Sequence, residues 1–328
     1  MHMADALISP AVGATFWAAS AAALAYSAKR LKENSDENRI PLMGVLAAFI
    51  FAAQMINFTI PGTGSSGHLG GGMILAILLG PWAGFLSMAS VLTVQALFFA
   101  DGGLLALGCN IFNLGVPTCF IAYPFIYRPL IGSNPGANRT LIAALLAAIV
   151  GLQLGAFGVV LETTFSGMAE LPFNAFVLTM QPIHLGIGII EGLVTAAVVS
   201  FVYKARPDFT STTELTRAPA LSIKQTVLVL LTVTMLTGGF VSWFASEHPD
   251  GLEWSMAHVA GKEVLATPKQ GVHARLGALQ AKAALLPDYG FKGEEPSKSG
   301  TSASGIIGGL LTLAVVAGIA FILRKKKT

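Results

Sequence analysis

The chain has 328 residues, 54% of them hydrophobic and only 11% charged, with a formal net charge of +3 and a mean hydropathy of +0.69. Soluble domains carry about a quarter charged residues, so water is not the main solvent of this chain. Its basic residues fall in short clusters beside apolar runs, such as Lys29-Arg30-Leu31-Lys32 and Arg324-Lys325-Lys326-Lys327, a pattern that reports topology and excludes nucleic-acid binding.

The first residues, Met1-His2-Met3-Ala4-Asp5-Ala6-Leu7, have no basic leader, and the apolar stretch after them is too long for a signal sequence, so the start is expected to stay attached. Runs of about 17–25 apolar residues are best satisfied as helices in lipid, where the backbone must bond to itself. Nine such runs are predicted, at 10–29, 41–58, 71–86, 87–100, 103–127, 140–161, 182–203, 224–244 and 305–323. The fold class expected is an all-α polytopic membrane protein. The segments 29–39, 128–139, 204–224 and 324–327 are basic and belong in the cytoplasm. With nine crossings Met1 lies outside and Thr328 inside, and the loops 59–70, 162–181 and 246–304 face outward. The chain is cut at the polar, proline-containing linker 206–222 into a first module, 1–205, with seven spans, and a second, 223–328, with two spans flanking the outer segment 246–304. That segment is expected to end in a flexible tether over 293–302. Cys109 and Cys119 lie about 15 Å apart along one helix, too far for a disulfide, and read as packing residues.

The loop from Pro61 to Gly72 holds six glycines and a formal G-x-G-x-x-G match, Gly62, Gly64 and Gly67. A dinucleotide site needs a strand before it in a soluble unit, and a P-loop needs lysine where His68 stands. No other Walker sequence is present, so ATP-driven work by this chain requires a separate ATPase. The glycines permit a close-packed backbone that fixes His68 as a metal ligand; a histidine without a role in an outer loop is the other reading. His2 matters by its position. The Met1 amine, the deprotonated His2 amide and His2 Nδ1 close a five-membered and a six-membered chelate ring in one plane, with His68 available for the fourth corner. Four nitrogens in a square suit Ni(II) or Cu(II). Against this stands the usual fraying of a chain end.

The start Met1–Leu7, the segment Gln54-Met-Ile-Asn57-Phe-Thr-Ile-Pro61-Gly-Thr-Gly-Ser-Ser-Gly-His68-Leu-Gly-Gly-Gly72 and the segment Ala100-Asp101-Gly-Gly-Leu-Leu-Ala-Leu-Gly-Cys-Asn110 resemble the CbiM/NikM substrate-binding components of energy-coupling-factor transporters over about residues 1–205. Pro249-Asp-Gly-Leu-Glu253 is similar to the signature of the N component, here fused behind. The resemblance implies a multi-pass protein of the plasma membrane that takes up nickel or cobalt as its transported substrate, without a catalytic cofactor. It implies a metal site of Met1, His2 and His68. It also implies a transmembrane coupling subunit and cytoplasmic ATPases as partners, with lipid around them and no nucleic acid.

Asn57 and Asp101, near outer helix ends, are candidates to orient the ligands, or simply to cap helices. His184 and Glu191 are seven residues apart on one face of a span, as functional groups or as ties between helices. The stripes Ala14/Ala18/Ala22, Ala48/Ala52 and Gly188/Gly192 allow close helix approach, within the chain or to the coupling subunit. His248, His258 and His273, with Asp250 and Glu253, are irregularly spaced and read as solvated surface. Two rival functions remain. A standalone secondary carrier needs buried acidic relays, for which only Glu191 clearly qualifies. An intramembrane metal hydrolase needs a catalytic constellation not evident in the sequence.

Overall fold

The structure, a computed structural model, describes residues 2–33, 40–132, 136–206, 221–263 and 265–323. Met1, most of the linker 206–222 and the basic tail 324–327 lie outside these residues, as do parts of the basic loops 29–39 and 128–139. Six helices are long and apolar enough to cross a membrane: α1 (Pro10–Glu33), α4 (Pro81–Phe99), the continuous run Leu107–Ile131, α7 (Ala137–Ser166), α8 (Phe173–Ala205) and α12 (Lys298–Leu323). The run Leu107–Ile131 begins as α5 (Leu107–Val116), widens to a π-helix over Pro117–Tyr127 and closes as α6 (Arg128–Ile131). Pro117 and Pro124 lie in the wide part, where their missing N–H groups interrupt the ordinary bonding pattern. Two shorter apolar helices are α2 (Ile40–Gln54) and α9 (Ile223–Gly239).

The third and fourth expected spans are divided differently from the sequence reading. Only eight residues, Gly72–Leu79, form α3, about 12 Å of helix and too short to cross alone. Gly80, at φ 84°, and Pro81 end it, and Gly84 brings α4 back against α3, where a Cβ would lie 2.9 Å from Ala76 N. Before α3, the close-packed glycine loop expected on the outer face takes the form of a hairpin. Strands β1 (Phe58–Ile60) and β2 (Ser65–Gly67) pair antiparallel, Phe58 opposite Gly67, and Ser65 and Ser66 are fully buried.

The helix ends collect into two groups. At one, Arg30 lies 5.8 Å from the Trp82 ring and the Tyr127 and Tyr203 hydroxyls are 3.5 Å apart. At the other, the N-terminal segment, the hairpin, the α4–α5 turn and the Pro249–Glu253 stretch meet. The second module packs along α2 and α4: Gly44 faces Leu313 O, and Gly308 admits the rings of Phe51 and Phe99. Helices α9 and α12 cross at Gly238 and Gly305, where a Cβ on Gly305 would strike the Gly238 backbone.

The outer segment is solvated in part, with His248 and His258 exposed as expected, but it is not surface throughout, nor a loose tether. Its helices α10 (Gly251–Ala260) and α11 (Gly271–Ala283) lie over the first module. His273 is buried and its Nε2 is 2.9 Å from Ile8 O. Gln280 Nε2 donates to Ala96 O and Gly102 O. The expected tether is half helix, because Ser297 Oγ accepts from Gly300 N and starts α12 at Lys298. Both cysteines are free and buried, as packing residues should be.

Candidate metal centre

The N-terminal segment is held in place by residues whose role the sequence left unassigned. Met3 N donates to Asn110 Oδ1 at 2.8 Å, while Asn110 Nδ2 and Gly103 N both donate to Met3 O. Asp5 Oδ1 accepts from Ala106 N at 3.0 Å, and a Cβ on Gly103 would collide with Asp5. Asn113 Nδ2 reaches Met3 Sδ at 3.9 Å and Glu162 Oε2 at 2.7 Å. Glu162, 1% exposed, is thus a second buried carboxylate beside Glu191. The signal available in sequence was polarity inside an apolar run, at Asn110, Asn113 and Glu162.

The hairpin is fastened as tightly. Glu191, fully buried on α8, accepts from Gly70 N at 2.8 Å and Gly71 N at 3.0 Å, one with each oxygen. Gln54 Nε2 donates to Gly70 O at 2.8 Å and its own Oε1 accepts from Gln95 Nε2. Gly71 sits at φ 79° and Gly72 lies against Thr118 and Leu114 O, so the glycines serve a positive φ and close approach. The second module adds an outer clamp: Ser66 N donates to Pro249 O at 2.8 Å, Ser66 Oγ to His248 O at 2.7 Å, and Trp254 Nε1 to Thr63 O at 3.0 Å.

These attachments bring His2 and His68 together, their rings parallel to within 10° and 4.9 Å apart at the centroids. His68 Nδ1 is 3.0 Å from Leu69 O, which places the proton there and the lone pair on Nε2. Burial first, then the charge of neighbours including His2, pushes the His68 pKa down to about 3, so its ring is neutral at physiological pH. His2 Nδ1 lies 3.2 Å from Asp101 Oδ1, and His2 Nε2 is buried with no partner among the described residues. Burial would raise the Asp101 carboxyl, but His2 and the Tyr289 hydroxyl, which donates to Oδ2 at 2.5 Å, hold it well below the usual carboxylate range. Asp101 therefore acts first on His2, with His68 as a further charge neighbour. Asn57 lines the same cavity, with its backbone carbonyl taken by Ser246 N and its side-chain Oδ1 buried without a partner.

The histidines open into a cavity of about 690 Å³. Besides Asp5 and Asp101, its wall carries Glu247, Asp250, Glu253, Glu263 and Asp288 from the second module, and no lysine or arginine among the described residues. Asp250 is the N-cap of α10, its Oδ1 accepting from Leu252 N and Glu253 N. No group of three or more His, Cys, Asp or Glu placed to hold a metal occurs among the described residues. Two imidazoles alone do not complete a metal site, so further ligands have to come from other atoms.

A helical membrane protein with paired histidines at the base of an acidic cavity is a protein built to admit cations. Residues 2–209 match the family described as the cobalt uptake substrate-specific transmembrane region, and residues 224–325 match the PDGLE domain; the chain belongs to the first family and carries the second domain behind it. A chain of Archaeoglobus fulgidus named as a fused nickel transport protein, NikMN, is 34% identical over 96% of both chains. The fused nickel transport protein NikMN of Rhodobacter capsulatus is 30% identical over 97% of this chain and 96% of its own. A crystal structure described as a transition metal transporter matches with a TM-score of 0.56 and 31% identity, over 63% of this chain and 94% of that one.

Proposed function

We propose that this chain is the substrate-binding membrane component of a nickel or cobalt uptake system. The ion is gripped by the Met1 amine, the His2 amide nitrogen, one His2 ring nitrogen and His68 Nε2. The observation that carries this reading is the pair of parallel imidazoles, His2 and His68, drawn together from the chain start and the glycine hairpin. His68 is neutral and presents Nε2, as a ligand must. The six-membered chelate ring requires His2 Nδ1, which here faces Asp101. A half-turn about Cβ–Cγ exchanges the ring edges, freeing Nδ1 for the metal and offering Nε2–H to Asp101. Ring turnover is then part of binding, and a carboxylate on the far nitrogen raises the basicity of the ligand.

The nine-crossing topology, with the cavity outside and the basic loops in the cytoplasm of a plasma-membrane protein, fits the grouping of helix ends. The division at 206–222 into a metal-binding module and an N module fits the way the outer segment closes the cavity wall. Hydrated ion enters the cavity, exchanges water for nitrogen and releases protons. A transmembrane coupling subunit and cytoplasmic ATPases then supply the energy to turn the site inward. Nickel uptake measured in cells tests this. His68→Ala and loss of the partner ATPases should each abolish it, and uptake that survives loss of the ATPases contradicts the ATP-driven reading.

A further inference from the structure

His184, on α8, is fully buried. Its Nδ1 lies 2.8 Å from Met180 O, one helical turn back, which places the proton on Nδ1 and the lone pair on Nε2. Nε2 is buried and meets no hydrogen-bond partner among the described residues. A buried lone pair with no donor is costly, and this one looks into a second cavity, behind His68. That cavity measures about 10 Å³ and is lined by His68, His184, Asp250, Gly251, Leu114 and Leu152. Leu114 and Leu152 come from the interiors of α5 and α7, so the space leads from the metal centre toward the helix core. Gly251 keeps it open, since a Cβ there would lie 3.1 Å from His184 Cε1 and 2.8 Å from Ile183 Cγ2.

The two cavities differ in what they admit. The outer one has room for a hydrated ion, whereas the inner one holds a single water-sized body. His68 lines both. We propose that His184 Nε2 is the next ligand of the divalent metal on its inward path, receiving the dehydrated ion from His68. Asp250 supplies negative charge at this position while its Oδ1 stays bonded to the α10 amides. The step is ligand exchange without redox change: the three bonds to the Met1 amine, the His2 amide and the His2 ring break, His68 Nε2 stays bound, His184 Nε2 and the second Asp250 oxygen form bonds, a water from the outer cavity takes the remaining position, and the amine and amide each regain one proton from bulk solvent through that cavity. The inference rests on the proposed function but is tested separately from it.

The test compares His184→Gln and His184→Cys in the full chain, co-expressed with its partner subunits, using radioactive Ni(II) as the probe. Equilibrium binding to each purified chain and uptake into cells are measured, with thermal melts to confirm equal folding. His184→Gln should bind within about twofold of wild type and lose at least tenfold in uptake, and His184→Cys, which restores a metal ligand, should recover part of that loss. Uptake retained by His184→Gln would show that the cavity holds only water and overturn the proposal. Binding and uptake falling together, or no recovery with cysteine, would make His184 an outer-site or packing residue and equally overturn it. Failure of the wild-type chain to bind Ni(II) would count against the proposed function itself.

Discussion

His2 Nδ1 and Asp101 Oδ1 lie 3.2 Å apart, and this contact ties the chain start to the α4–α5 turn and, through Tyr289, to the outer segment. Asp101 is thereby the residue that fixes the orientation of the His2 ring. Substitution Asp101→Asn keeps the shape but removes the charge that orients and polarises the ring. Nickel affinity measured by calorimetry should fall about 10- to 100-fold, and Tyr289→Phe should cost less, because the second Asp101 oxygen tolerates water.

Glu191 holds the histidine hairpin by two backbone N–H groups. In Glu191→Ala both donors remain buried without an acceptor, at about 1–3 kcal/mol each. A lowered thermal midpoint and weakened metal binding should appear together, whereas Glu191→Gln, which still accepts one of the two bonds, should fall between. An unchanged midpoint in Glu191→Ala would show that the hairpin is held by its glycine packing alone.

Metal affinity should fall as pH falls. The His68 ring, held down to about pKa 3 chiefly by burial, competes for protons only in strong acid. The α-amine, with an ordinary pKa near ~7.8, and the His2 amide do compete. Below the amine pKa at least two protons leave as the ion binds, so log K should rise by about two or more per pH unit between pH 5 and 7. Above it the slope should fall toward one. A flat profile measured by competition titration would exclude amide and amine ligation.

The acidic wall should act on affinity through faster capture and not through slower release. Neutralising Glu247 and Glu263 together as glutamines should slow nickel association in stopped-flow measurements several-fold at low salt, leave dissociation unchanged, and lose its effect as salt rises. A change confined to dissociation would mean that these carboxylates ligate the ion.

The long spans and the close packing of the glycine loop could be read from the sequence, because apolar length and glycine content are local properties, whereas the nearness of His2 to His68 was suggested by ligand chemistry and by the family resemblance. The eight-residue α3 could not, since an apolar run from 71 to 86 looks continuous until Gly80 and Pro81 turn the chain back. The role of Asn110 depends on a contact with Met3 across 107 residues of chain, which no spacing rule reveals. The same holds for Asp250 and His273: irregular spacing in a polar segment suggested solvent, and only the packing of that segment over the first module places Asp250 in the cavity wall and buries His273 against Ile8.

The central claim is that the chain's leading nitrogen is a metal ligand. Inserting two glycines before Met1 moves the amine out of the five-membered chelate ring and puts an amide in its place, while leaving the helices untouched; a single added residue would not serve, because a histidine third from a free chain start itself completes a square amine–amide–amide–imidazole chelate for Ni(II). Calorimetric titration of the purified chain with Ni(II) should then show at least a hundredfold loss of affinity at an unchanged thermal midpoint. Affinity equal to that of the unextended chain would contradict the account and leave His2 and His68 to hold the ion by some other set of atoms.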